Sequence, residues 1–243
     1  MGNGNRGNTM IIKNGLVFTP EGKFEKKDLY VEGEYVAKET TDNKEVEAEG
    51  CYVIPGLVDI HFHGCVRHDM CDGTEESIQA LADYEAANGV LAICPATMTI
   101  PEEELFQAMK AAKEHKNGKG ADLVGINMEG PFINKEKKGA QKEEDIKLAD
   151  IELFHKLQEA AGGLIKLVDL APETEGAMDF IDQVKDEVHV SIAHTMADYD
   201  TASEAIRKGA DHTVTDQYDP LVRKHFKRCS DTGWVNMNSI TDQ

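Results

Sequence analysis

Hydrophobic and polar positions change their rhythm once along the chain, close to Pro55. Before it, short apolar runs alternate with turn signals at Asn14-Gly15, Glu21-Gly22 and Glu32-Gly33, which predicts strands over residues 10–18, 28–31, 35–39, 45–48 and 51–54. The expected product is a small antiparallel β module, a partial β-sandwich, over residues 1–55. After Gly56 an apolar run is followed by a helix-period stretch, and the pair recurs. Strands are expected at 57–62, 90–94, 123–128, 164–170, 188–193 and near 212–215. Helices are expected at 75–88, 102–115, 149–161, 176–186 and 200–208. Strands alternating with helices imply a parallel sheet, open or closed into a barrel. Six units are present where a closed (β/α)8 barrel has eight, so the expected fold class is α/β, an incomplete TIM-type barrel over residues 56–216. Residues 217–243 form a polar tail without period. The sudden loss of pattern fits an altered reading frame near Thr213.

Chemistry concentrates where the first barrel strand ends. Residues 55–64 read Pro-Gly-Leu-Val-Asp-Ile-His-Phe-His-Gly, and on a strand His61 and His63 point to one face while Phe62 points to the other. Two imidazoles on one face can share a metal ion. In parallel α/β folds the site lies at the C-terminal strand ends. Glu129 ends the third strand, just before Gly130-Pro131, and His194 ends the fifth. Thr195 and Asp198 stand ready to start the following helix. Ala96 and Thr97 close the second strand with small side chains suited to a pocket lining.

Composition narrows the partners. A formal net charge of −19 disfavours nucleic acid and anionic membrane. No apolar run reaches the length of a membrane span, and a cytoplasmic location is the expectation. Five scattered cysteines fit reduced thiols. His115 and His155 read as surface positions on polar helices, and His68-Asp69, Cys71-Asp72 and Lys135 to Lys138 as parts of solvated loops. Cys229 and Trp234 carry no assignment.

Taken together, the His61-Phe62-His63 motif, the Met128-Glu129-Gly130-Pro131-Phe132-Ile133 segment, the Lys138-Gly139-Ala140 that follows and the Ala193-to-Tyr199 segment resemble the amidohydrolase superfamily, specifically the N-acetylglucosamine-6-phosphate deacetylase family. The resemblance runs from about Met10 to Thr215. It implies a metal-dependent hydrolysis of an amino sugar phosphate to glucosamine 6-phosphate and acetate. It further implies Glu129 and His194 as metal ligands, His61 and His63 as ligands that admit a second ion, and zinc or iron as the metal, one ion or two. Gly139 and Ala140, with Ala96 and Thr97, would bind the sugar, and a homodimer completing the phosphate site is implied.

Departures from the family pattern are equally specific. Where a His-Leu-(Tyr/Phe)-Asn-Ala-Met segment is expected, the chain reads Thr215-Asp216-Gln217-Tyr218-Asp219-Pro220. Asp216 is the expected stand-in ligand, with His212 four residues away. No residue matches the family's catalytic aspartate, so no catalytic residue is identified. Two other readings stay open. A cyclic amidase such as a dihydroorotase would share His-x-His but carry a lysine after strand four, where this chain has Asp169-Leu170-Ala171-Pro172-Glu173. A chain that binds metal without turnover is the other.

Overall fold

The computed structural model describes residues 9–33, 35–40 and 44–214, and divides into two compact units between Gly56 and Leu57. Asp216 and the tail at 217–243 lie outside the described residues.

The first unit is built on β1 (Met10–Phe18), paired antiparallel with β2 (Phe24–Glu32), which pairs antiparallel with β3 (Tyr35–Ala37). The expectation of a wholly antiparallel module fails at β4 (Glu45–Glu47) and β5 (Tyr52–Val53), which both run parallel to β1. These two are one path laid along β1 and interrupted by a turn at Ala48–Cys51, where the Cys51 N–H donates to Ala48 O at 2.9 Å. Alternation along a strand reports which face is covered, not which way the neighbour runs, so the sequence held no signal for this pairing.

In the second unit every strand is parallel except a short hairpin. β6 (Leu57–Asp59) pairs with β9 (Val90–Ile93), and β9 with β10 (Asp122–Leu123). β11 (Ile126–Glu129), β12 (Ile165–Leu170), β13 (His189–Ile192) and β14 (His212–Thr213) follow in that order. β10 and β11 are two halves of one strand position, broken at Val124-Gly125. A Cβ on Gly125 would sit 2.5 Å from the Lys166 side chain and 3.0 Å from the Cys94 sulfur, so only glycine lets the chain pass there. A parallel bridge between Ala96 and Asn127 joins the two groups of strands into one wall of six positions.

Helices α1 (Glu75–Ala87), α2 (Glu102–Glu114), α3 (Ile151–Ala160), α4 (Ala177–Val184) and α5 (Tyr199–Lys208) follow the first five positions. Their starts are written in the sequence. Thr74, Asp150 and Asp198 each accept hydrogen bonds from backbone N–H groups of the first helical turn. In α2, Leu105, Ala108, Met109 and Ala112 recur at helical spacing and are buried. All four residues of β11 are buried, as a strand covered on both faces requires. Phe180 stacks edge-on against Phe132 at 5.3 Å and Phe154 at 5.6 Å, locking α3 and α4 to the segment that follows β11. Among the described residues, no helix is long and apolar enough to cross a membrane.

Two expectations are corrected here. Residues 65–72 are no solvated loop, because β7 (Gly64–Cys65) and β8 (His68–Asp69) form a hairpin that leads into a 3-10 turn with Met70 fully buried. His115 is not a surface residue. Its side chain is 1% exposed and its Nδ1 lies 3.1 Å from a Glu75 carboxylate oxygen, a partner 40 residues away that helix periodicity could not reveal.

Removing the Phe154 ring should destabilise the fold by about 3–5 kcal/mol, since the side chain is fully buried between helix and wall. Urea unfolding of Phe154→Ala measures this. A cost under about 1 kcal/mol would mean that the aromatic cluster does not hold the second unit together.

Candidate metal centre

β6 stops at Asp59, two residues short of the first site histidine, so His61 and His63 do not lie on the regular strand that their alternation predicts. The cause is local: the Asp59 carboxylate takes the His61 N–H at 3.0 Å, giving that donor a side-chain partner in place of the ladder. The segment nevertheless stays extended along its neighbour, with Cys94 N–H bonded to Asp59 O at 2.8 Å and Ala96 N–H to Phe62 O at 2.7 Å. Phe62 packs against the core, and the two imidazoles end with centroids 5.4 Å apart.

Glu129 is the point on which they converge. It is the last residue of β11 and only 2% exposed. Its Oε2 lies 2.9 Å from His61 Nε2 and 3.6 Å from His63 Nε2, and its Oε1 lies 2.9 Å from His194 Nε2. The two oxygens thus serve different histidines. Gly130, at φ 70°, turns the chain sharply behind the carboxylate, and a Cβ there would fall 2.1 Å from the Thr99 hydroxyl. His194 adopts φ 45°, an uncommon conformation for a residue with a side chain. Its Nδ1 donates to Lys137 O at 2.8 Å, which turns Nε2 toward Glu129.

The electrostatics follow from this crowding. Burial alone would raise the Glu129 pKa, but hydrogen bonds from His194 and His61 and the charge of His63 outweigh it and hold the carboxylate down at about 2. His194 is pushed above its ordinary value, first by the Glu129 hydrogen bond against the opposing effect of burial. For His61, burial works downward and is overcome by Glu129 and by the charges of Asp169 and Asp59, so its pKa is also raised.

Two residues of the cluster escaped sequence reasoning. Gln141 is buried, donates through Nε2 to Glu129 Oε1, and accepts the Thr99 N–H at 2.7 Å through its own oxygen. It thereby holds the carboxylate against the loop that follows β9. Asp169 is fully buried in β12, level with Glu129 on one side and Ser191 on the other. Its Oδ2 is 3.6 Å from His61 Nδ1, and neither oxygen reaches hydrogen-bonding geometry with a partner. Burial pushes its pKa up to about 7, while His61 and the Ser191 hydroxyl draw it down and Glu129 draws it up. The one available signal was an acid inside the apolar run Ile165-Lys166-Leu167-Val168-Asp169-Leu170.

Other expected residues fall beneath or beside this cluster. Ala96 and Thr97 are fully buried, and the Thr97 hydroxyl donates to Glu129 O at 3.3 Å, so both lie under the site. Gly139 and Ala140 are exposed, with Gly139 beside the His194 ring. The 135–138 loop is only partly solvated: it supplies the carbonyl that orients His194, and Lys138 Nζ donates to Gln141 O at 3.2 Å. His212 is not near Glu129; it opens β14, where its Nδ1 bonds Asp211. Asp216 is outside the described residues. Cys71 and Cys94 are free thiols whose burial lifts their pKa to about 12, so neither serves as a nucleophile.

One ligand atom from each of His61, His63 and Glu129 lies within 4.8 Å of the others, so these side chains could hold a metal ion. The donor set of imidazole nitrogen and carboxylate oxygen fits a zinc-like divalent cation. His63 Nδ1 and Asn127 Oδ1 are buried there without partners, and the Asn127 amide lies 3.0 Å from His61 Nδ1.

No family model matches the chain. It is 34% identical over 224 residues to the N-acetylglucosamine-6-phosphate deacetylase of Bacillus subtilis, covering 89% of this chain and 55% of that protein. It is 28% identical over 210 residues to the enzyme of the same name from Lysinibacillus sphaericus, covering 83% of this chain and 54% of that protein. Among solved structures, a variant of the Mycobacterium smegmatis N-acetyl-D-glucosamine-6-phosphate deacetylase in complex with N-acetyl-D-glucosamine-6-phosphate superposes with a TM-score of 0.77 at 24% identity, over 90% of this chain and 58% of that one. That likeness establishes the fold as part of a TIM barrel. The chain spans about half the length of the curated relatives it matches. Along most of its own length the chain is thus similar to N-acetylglucosamine-6-phosphate deacetylases, to the first of them at 34% identity.

Proposed function

We infer that this chain holds the divalent cation of a deacetylase acting on an N-acetylated amino sugar phosphate, with N-acetylglucosamine 6-phosphate as substrate and glucosamine 6-phosphate and acetate as products. The observation that carries the reading is the meeting of three imidazoles on the one buried carboxylate of Glu129. Glu129, His61, His63 and His194 are the residues that would hold the metal. Because Glu129 Oε1 faces His194 and Oε2 faces the His61/His63 pair, the carboxylate suits one ion or two. A divalent cation bound there supplies Lewis acidity toward the acetamide carbonyl and lowers the pKa of its water towards neutrality.

The chain's own residues supply position and exclusion of water. Gln141 fixes Glu129 from one side, and the Lys137 carbonyl keeps the proton of His194 on Nδ1 so that Nε2 stays open. Asp169 stands behind His61, its Oδ2 3.6 Å from Nδ1, and draws positive charge toward that ring. Gly139 and Ala140, exposed beside His194, would form the rim against which the sugar lies. Asp216 remains the proposed further ligand from the segment after β14.

Two experiments test this. Zinc content of the purified chain, read together with acetate release from N-acetylglucosamine 6-phosphate, should fall in step when Glu129 is replaced in Glu129→Gln. Metal bound without acetate would remove the hydrolytic half of the proposal, and unchanged zinc content in the variant would remove all of it.

The second uses the metal-free chain. Glu129 has a depressed pKa, so its contribution to stability is complete above its ordinary value of 4.5 and is lost as pH falls through about 2. His61 and His194 have raised values, so theirs is complete below the ordinary 6.5 and is lost as pH rises through the raised values. The gap in urea midpoint between parent and Glu129→Gln, measured with chelator, should therefore be widest between those two ordinary values and shrink on both sides. A gap independent of pH would mean that the cluster is not an ion-paired unit.

A further inference from the structure

The wall carries a second group of side chains able to ligate a metal, on β13 and β14. His189 is the first residue of β13 and His212 the first of β14, and Asp211 precedes His212. His189 Nδ1 lies 2.6 Å from Asp211 Oδ2 and His212 Nδ1 lies 2.8 Å from Asp211 Oδ1, so one carboxylate bridges two imidazoles through its two oxygens. The ring centroids are 5.0 Å apart, and one ligand atom from each of the three residues lies within 4.8 Å of the others.

We propose that His189, Asp211 and His212 form a binding site for a divalent transition-metal ion that fastens β14 to β13. Two imidazole nitrogens and a carboxylate oxygen are the donor set that zinc takes, with a fourth position left for water. The ion takes the place of the ring protons at Nδ1, each neutral ring carrying its one proton on Nε2 instead. The side chains are 60%, 41% and 24% exposed for His189, Asp211 and His212, so an ion reaches them from solvent without opening the fold.

The backbone is already set for this. The Asp211 N–H donates to Val190 O at 3.0 Å, and Val190 and Ala210, next to the ligands, are buried. β14 is a two-residue strand paired only to β13 among the described residues, which makes a clip at its first residue valuable. The site is separate from the Glu129 cluster. Four residues of extended chain separate His189 from His194, roughly 16 Å at the rise of a strand.

Equilibrium dialysis of the full chain against zinc tests the site. His189→Gln and Asp211→Asn should each bind one equivalent fewer than the parent. A chain with both His61→Asn and His63→Asn should keep that equivalent and lose it when His189→Gln is added. In the same double-variant background, zinc should raise the thermal midpoint, and Asp211→Asn should abolish the rise. Equal zinc uptake by the parent, His189→Gln and Asp211→Asn would overturn the proposal, leaving an imidazole–carboxylate hydrogen-bonded cluster only. Loss of the equivalent in His189→Gln but not in the His61/His63 double variant would uphold this site whatever becomes of the proposed centre at Glu129.

Discussion

A single buried carboxylate organises the rim of the second unit at the C-terminal strand ends. Glu129 leaves water almost completely, and a carboxylate that does so must find compensating partners or take up a proton. It finds His61, His63, His194 and Gln141, drawn from the ends of two strand positions and from the loop after β11. Three of these partners are held in turn: His61 by Asp59, His194 by the Lys137 carbonyl, Gln141 by the Thr99 amide. The same set of contacts that satisfies the buried charge gathers nitrogen and oxygen donors around one point.

Asp169 gives that arrangement its tension. A fully buried carboxylate without hydrogen bonds is expensive, and nothing in the packing of β12 calls for one. Its place behind His61, level with Glu129, sets a second carboxylate beside the imidazoles, where its charge raises the His61 pKa. Stability is supplied elsewhere, by the aliphatic and aromatic layer between wall and helices, in which Phe132, Phe154 and Phe180 interlock.

Much of this was legible in the residues. Strand and helix positions followed from periodicity, because parallel strands covered on both faces read as apolar runs and the helices carry side-chain caps at Thr74, Asp150 and Asp198. His61, His63, Glu129 and His194 were legible because the C-terminal strand ends of a β/α wall share one rim. Illegible features all depend on partners distant in sequence. The parallel course of β4 and β5, the burial of His115 against Glu75, and the grip of Gln141 on Glu129 leave no local trace. His212 belongs with His189 and Asp211, because the Asp211 carboxylate bonds both imidazoles.

Anomalous diffraction at the zinc edge, from crystals of the zinc-loaded chain, is the most direct measurement of the central claim. The account requires a peak within about 2.0–2.2 Å of a Glu129 oxygen and of at least two of the three imidazole nitrogens. Crystals that show no anomalous peak at Glu129, with the His61 and His194 ion pairs to its carboxylate intact, would contradict it.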